Sequence, residues 1–256
     1  MRAFFSAIAF LTRIPVPVAW QSRRENAMFA AYPAAGLVMG CLLAAVYWAA
    51  GLLFPPAVTA VLCLGAMLLL TGALHVDGLA DCADAFYGAR DRETTLRILK
   101  DPRIGTMGGC AIAASLLARF AALISLPSAA AILCLPFAMM LSRTVVIGAL
   151  AFLPYVRAEG GILSSKPPVR SAGLTAAGIV SVLFVGVLLP VPTAACLLAC
   201  ALFWRLSGRR IQGCTGDVLG ASIEITEVVF LVVCAAAGAV HVGLLSPLAA
   251  LRGIGL

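Results

Sequence analysis

The chain has 256 residues, 62% of them hydrophobic and only 11% charged, with a mean hydropathy of +1.07. That composition excludes a water-soluble globular domain, and several uncharged stretches reach the roughly 20 residues that a bilayer span requires. The net charge of +7 does not imply a nucleic-acid partner, because the Lys and Arg residues gather in loops between apolar stretches and no basic motif with interleaved aromatics is present.

In chain order, residues 1–20 carry Arg2, an apolar run and small residues. Thr12-Arg13-Ile14-Pro15 interrupts that run too early for the apolar core of a cleaved signal peptide. An interfacial helix is predicted instead, with Phe4, Phe5, Ile8 and Leu11 facing the lipid. Hydropathy and turn punctuation then predict spans near 28–53, 57–74, 107–126, 129–153, 172–189, 191–206 and 225–250. The expected fold class is all-α: a polytopic integral membrane helix bundle of about seven transmembrane helices, with residues 1–256 forming one membrane-embedded domain. No low-complexity tract, internal repeat or separate soluble domain is visible.

The connectors alternate. Phe54-Pro55-Pro56, Leu126-Pro127-Ser128 and Pro190-Val191-Pro192 carry no charge, whereas the N-terminal arm and the loops at 75–106, 157–170 and 205–210 are basic. The positive-inside bias puts all the basic segments on the cytoplasmic side. Nine cysteines lie mostly in the spans with no CxxC, as expected of small packing residues kept reduced rather than of a disulfide or metal framework.

Nine of the eleven carboxylates fall in two short windows: Asp77, Asp81, Asp84, Asp91, Glu93 and Asp101 in the first, Asp217, Glu224 and Glu227 in the second. Acids kept beside membrane spans are a functional-site hypothesis by default. At about 100° per residue, positions 77, 81 and 84 fall within roughly 60° of one another on a helix. Three like charges on one stripe repel, so a cation should sit there. Mg²⁺ suits the spacing, being held by one or two carboxylates plus substrate phosphates and water. Asp217 and Glu224 are nearly in line on a second helix with Gly220 and Ala221 between them, and both are expected to complete or flank the metal site. Glu227 lies further round, as a ligand, a base or a headgroup-level charge.

Between the windows, Lys100 and Arg103 stand beside Gly105, Gly108 and Gly109 at the start of a span, an arrangement of cations and free N–H groups that suits phosphate oxygens. Arg119 and Arg143 sit about ten residues inside spans three and four, roughly 15–18 Å deep. Charges at that depth face the bundle interior and seek partners, which predicts a polar cavity descending from the cytoplasmic face. His75, opposite the acidic stripe, and His241, in the last span, are expected to be structural.

The blocks FLTRIPVP (10–17), TGALHVDGLADCADAFYGAR (71–90), LKDPRIGTMGG (99–109), PYVRAEGG (154–161) and CTGDVLGASIEITEVVFL (214–231) together resemble the cobalamin synthase family, adenosylcobinamide-GDP ribazoletransferases. They run in order through most of the chain, and the HxDGLAD and TGDxLGA pair is the specific part. The resemblance implies a bacterial inner-membrane enzyme with a cytoplasmic active face. Its substrates would be adenosylcobinamide-GDP and α-ribazole or α-ribazole 5′-phosphate, its products a cobalamin and GMP, and its cofactor Mg²⁺. On that reading Asp77, Asp81, Asp84, Asp217 and Glu224 hold metal, and Asp84 or Asp217 is the catalytic base. Arg90, Lys100, Arg103 and Gly105 bind phosphate, and Arg119, Arg143 and Arg157 line the substrate cavity. The number of subunits stays open, a homo-oligomer included. The alternatives are a phosphotransferase of the CDP-alcohol type, whose DGxxAR order is only partly met, and an ion-coupled transporter, whose paired repeats are missing.

Overall fold

The computed structural model describes residues 1–22, 25–89, 91–156 and 172–240. Among these the protein is all-helical, with no strand and one isolated bridge between Tyr155 and Cys214.

Helix α1 (Arg2–Leu11) ends where the Thr12 hydroxyl turns back to donate to Ile8 O at 2.7 Å, and Arg13 N–H bonds Leu70 O at 2.7 Å. These bonds hold the amino-terminal arm against the bundle. Ile8 and Leu11, expected to face lipid, are buried against protein instead. Burial on the bundle removes the same apolar area from water as lipid would, and periodicity alone cannot distinguish the two.

Helix α2 (Tyr32–Gly51) packs along α7 (Ser128–Phe152) through Gly36 and Gly40; a Cβ added at Gly40 would stand 2.7 Å from Leu135 O. Without a hydrophobic force between helices in lipid, close backbone approach of this kind is what holds spans together. Helix α3 (Pro56–Thr71) ends at a tight corner with Gly72 and Ala73 both at positive φ, +61° and +58°. The chain bends there by 89° into α4 (Leu74–Gly88), so the first acidic window begins at a corner and not at the end of a straight span. The short α5 (Arg92–Ile98) is capped by Asp91, whose carboxylate accepts from Thr94 N–H at 2.8 Å; that bond holds the Asp91 pKa below its ordinary value.

Helix α6 (Thr106–Ser125), α8 (Ala172–Leu188), α9 (Pro190–Ile211) and α10 (Gly216–Val240) complete the described helices. Helix α10 is central, packing against α4, α6, α7 and α9. Among the described residues five helical segments are long and apolar enough to cross a bilayer, and six if the bent α3–α4 pair counts as one. Seven were expected. The seventh, at 172–189, is present as the apolar helix α8, whose 17 described residues make it shorter than the other candidate spans. The final span starts at Gly216 rather than near 225, because the acids that mark a loop in a hydropathy profile are accommodated inside the helix.

Candidate active site

The two acidic windows, far apart in sequence, meet where α4 lies on α10. Contact this close depends on two glycines. A Cβ on Gly78 would stand 2.8 Å from Asp217 O and 3.1 Å from its Cα, and one on Gly220 would stand 3.4 Å from His75 Cα. As a result Asp77 and Asp217 line one pocket, of ≈ 540 Å³ with its open mouth included, together with His75 and the aromatic rings of Phe10, Phe29 and Tyr32. Asp77 is exposed and Asp217 half-buried. Thr215 stands at the start of α10, its hydroxyl 3.1 Å from Asp217 Oδ2 and accepting from Val218 N–H at 3.4 Å, and so orients the carboxylate. Asp81 is half-buried one turn along α4, and the buried Cys82 lies within electrostatic reach of both Asp81 and Asp217.

Asp84 is placed differently from its stripe partners. Its two oxygens accept the N–H groups of Gly105 at 2.7 Å and Gly108 at 2.8 Å, so it caps the amino terminus of α6 with a charge of the favourable sign. Two sequence expectations change together. Gly105, expected to offer its N–H to phosphate, gives it to Asp84; and Asp84, expected as metal ligand or base, has each oxygen bonded once by the helix end. A side chain at either glycine would collide with that carboxylate, which is why the turn is glycine-rich.

The basic loop is partly engaged. Lys100 is exposed. Arg103 grips Asp101 with Nε to Oδ1 at 2.9 Å and Nη2 to Oδ2 at 2.6 Å, and that side-chain hydrogen bond lowers the Asp101 pKa to about 2. Arg90 and Arg157 lie outside the described residues. Two arginines not singled out in the sequence lock this region to α9: Arg92 Nε donates to Ile211 O at 3.0 Å and Arg210 Nη1 to Ala89 O at 2.9 Å. Neither shows a signal in sequence, since both bond backbone carbonyls of residues remote in the chain.

Deeper in the bundle, Arg119 and Arg143 are buried but do not line an open polar channel. Arg119 Nη2 lies 2.6 Å from Glu224 Oε2 and 3.1 Å from Glu227 Oε2, and Arg143 Nη1 pairs with Glu227 Oε1. Ser115 donates to Glu224 Oε2 at 3.2 Å and Ser142 to Glu227 Oε1 at 3.0 Å. Two cations and two carboxylates make an electrically neutral knot, the only economical way to hold four charges inside a membrane bundle. Glu224, expected beside Asp217 as a metal ligand, is therefore about 10 Å further along α10 and bound to Arg119. The adjoining cavity, lined by Arg119 and Glu227, is otherwise apolar, with Leu43, Met67, Leu123 and Leu231 among its walls.

Among the described residues no three His, Cys, Asp or Glu side chains converge into a set that could hold a metal unaided. Asp77 and Asp217, sharing one pocket, nevertheless fit a Mg²⁺ that takes one or two protein carboxylates and fills its octahedron with substrate phosphates and water.

Comparison with known proteins agrees with the motifs. Residues 3–235 match the family described as cobalamin-5-phosphate synthase. The chain is 36% identical over 250 residues to an adenosylcobinamide-GDP ribazoletransferase of Chlorobium phaeobacteroides, covering 91% of this chain and all of that protein. It is 38% identical to the protein of the same name from Rhizobium etli over 91% of this chain and 95% of that one, and 40% identical to that of Xanthobacter autotrophicus over 88% and 92%. No solved structure matches. With the motifs, the paired acidic helices and these relatives in agreement, the chain belongs to the cobalamin-5-phosphate synthase family and is a membrane-embedded transferase of cobalamin biosynthesis.

Proposed function

We propose that this protein joins adenosylcobinamide-GDP to α-ribazole, or to its 5′-phosphate, and releases GMP, at the pocket between α4 and α10 on the cytoplasmic face of a bacterial inner membrane. The observation that carries the reading is the convergence of Asp77 and Asp217 on one pocket, since phosphoryl transfer asks mainly for charge neutralisation and positioning. In the step, a ribose hydroxyl of the acceptor forms a P–O bond to the phosphorus that carries the corrinoid, the P–O bond to GMP breaks, and the hydroxyl proton moves to a carboxylate.

Asp217 suits the role of base: it is half-buried in the first turn of α10, lines the pocket and is oriented by Thr215. Asp77, with Asp81 on the next turn, would hold Mg²⁺ through the diphosphate. The ion, when bound, would neutralise charge on the non-bridging oxygens and the leaving GMP. Lys100 and Arg103 stand on the loop that leads from the acidic helix to α6, and with Arg90 they would hold the donor's phosphates; Arg103 would exchange Asp101 for phosphate, a small step for an exposed pair.

The test is turnover by the purified protein in liposomes supplied with adenosylcobinamide-GDP, α-ribazole and Mg²⁺, following corrinoid product by mass and nucleotide release by chromatography. Product and GMP should appear in equal amounts. Absence of both with either acceptor would remove the reading.

A further inference from the structure

The pocket beside Asp217 is lined mainly by apolar and aromatic side chains. Phe29 and Tyr32 have ring centroids 5.0 Å apart at 51°, and Phe10 stacks on Tyr32 at 6.4 Å. The charged groups in the lining are both carboxylates, Asp77 and Asp217, so this space repels phosphate unless a cation intervenes. Two further polar side chains line it, Tyr32 and His75. His75 lines the pocket, is 4% exposed, and its Nε2 has no hydrogen-bond partner among the described residues. A buried ring nitrogen left without a partner is costly, and an absent ligand is one of the few explanations for it.

We propose, resting on the function above, that this pocket holds the planar, uncharged benzimidazole-type base of the acceptor, with the aromatic rings against its faces and edges and the His75 ring, whose Nε2 is buried without a partner among the described residues, turning to bond its free ring nitrogen. If Asp217 takes the acceptor's hydroxyl proton, the acceptor's ribose sits at Asp217, and the adjoining apolar walls are left for its base. Guanine fits less well. Its edge carries a carbonyl and an amide that both need partners, and it belongs to the leaving group, whose phosphates are drawn toward the basic loop. The amino-terminal arm thereby becomes part of the active site: Phe10 from α1 and Phe29 from the segment that follows it would set acceptor specificity.

The test uses the whole protein in liposomes, with the KM of each substrate measured for the native enzyme and for Phe29→Leu, His75→Ala and His75→Gln. Phe29→Leu keeps an apolar side chain in the core, and His75→Gln keeps a hydrogen-bonding group, so both guard against simple misfolding. Phe29→Leu and His75→Ala should raise the KM for α-ribazole by about tenfold or more and leave that for adenosylcobinamide-GDP within about twofold; His75→Gln should recover much of the loss. Free benzimidazole should compete with α-ribazole and not with the donor. A rise confined to the donor's KM, with guanosine as the competitor of that site, would overturn the proposal and assign the pocket to guanine; unchanged KM values for both substrates would overturn it as well. Failure of the native enzyme to turn over at all is a separate result, which removes the function and this pocket's assignment with it.

Discussion

At the residue scale, the three acids of one helical stripe have different work. Asp77 is exposed and lines the pocket, Asp81 is half-buried, and Asp84 caps α6. Replacing Asp77 or Asp217 by Asn keeps size and removes the charge that a hard cation or a base requires; turnover should fall by about a hundredfold or more, on the order of 3 kcal/mol in the barrier, and for Asp77 the Mg²⁺ concentration for half-maximal rate should rise. Asp84→Asn should instead lower thermal stability, by about 1–3 kcal/mol for lost charge-assisted bonds, with the Mg²⁺ dependence unchanged. A raised Mg²⁺ requirement in Asp84→Asn would return that residue to the metal site. Asp101 offers a third test. Its depressed pKa means that its bond to Arg103 is complete above the ordinary carboxylate pKa and lost only as pH falls toward about 2. The pair is therefore constant through the neutral range, and Asp101→Ala should free Arg103 and lower the KM for adenosylcobinamide-GDP at every neutral pH; no change would exclude Arg103 from phosphate binding.

At the element scale, the site depends on how closely α4 lies on α10. A Cβ at Gly78 would meet Asp217 O at 2.8 Å, whereas one at Gly65 on α3 would meet nothing within 4 Å. Gly78→Ala should push the helices apart, at a cost of about 1–3 kcal/mol for overpacking, and depress turnover well beyond the loss of folded protein; Gly65→Ala should do neither. The buried knot fixes α10 against α6 and α7. Glu227→Gln leaves Arg143 with a buried, half-answered charge, a loss of about 3–5 kcal/mol when such a partner is removed. Combining it with Arg143→Met removes both charges, and thermal unfolding in detergent should place the double variant above either single one. A double variant that is worse than both would show that the charges contribute independently.

At the scale of the whole molecule, sidedness is the open quantity, and it follows from where the basic segments lie. The α4–α5 region, the end of α9 and the start of α10 are locked together by Arg92 and Arg210, so they must share one side of the membrane. Single cysteines at Glu93 and Arg209 should react with an impermeant thiol reagent only from the cytoplasm, and one at Pro55 only from outside, in a background with the exposed Cys41 and Cys110 replaced by Ser. Labelling of positions 93 and 55 from the same side would reverse the arrangement.

Composition and hydropathy were enough to establish an all-helical membrane protein, because burial in lipid demands long apolar helices whatever their arrangement. The motifs around Asp77 and Asp217 were enough to name the family. Helical spacing could place Asp77, Asp81 and Asp84 on one face, since that geometry is local. It could not show that Asp84 bonds Gly105 and Gly108, that Glu224 belongs to Arg119 rather than to Asp217, or that α3 breaks at Gly72 before the acidic helix begins. Each of those outcomes is a contact or corner settled between segments remote in sequence, where packing and charge pairing, not periodicity, select the partner. The aromatic wall that Phe10 and Phe29 bring to the pocket is of the same kind: from the sequence an apolar residue facing lipid and one lining a pocket look alike, and only the fold tells them apart.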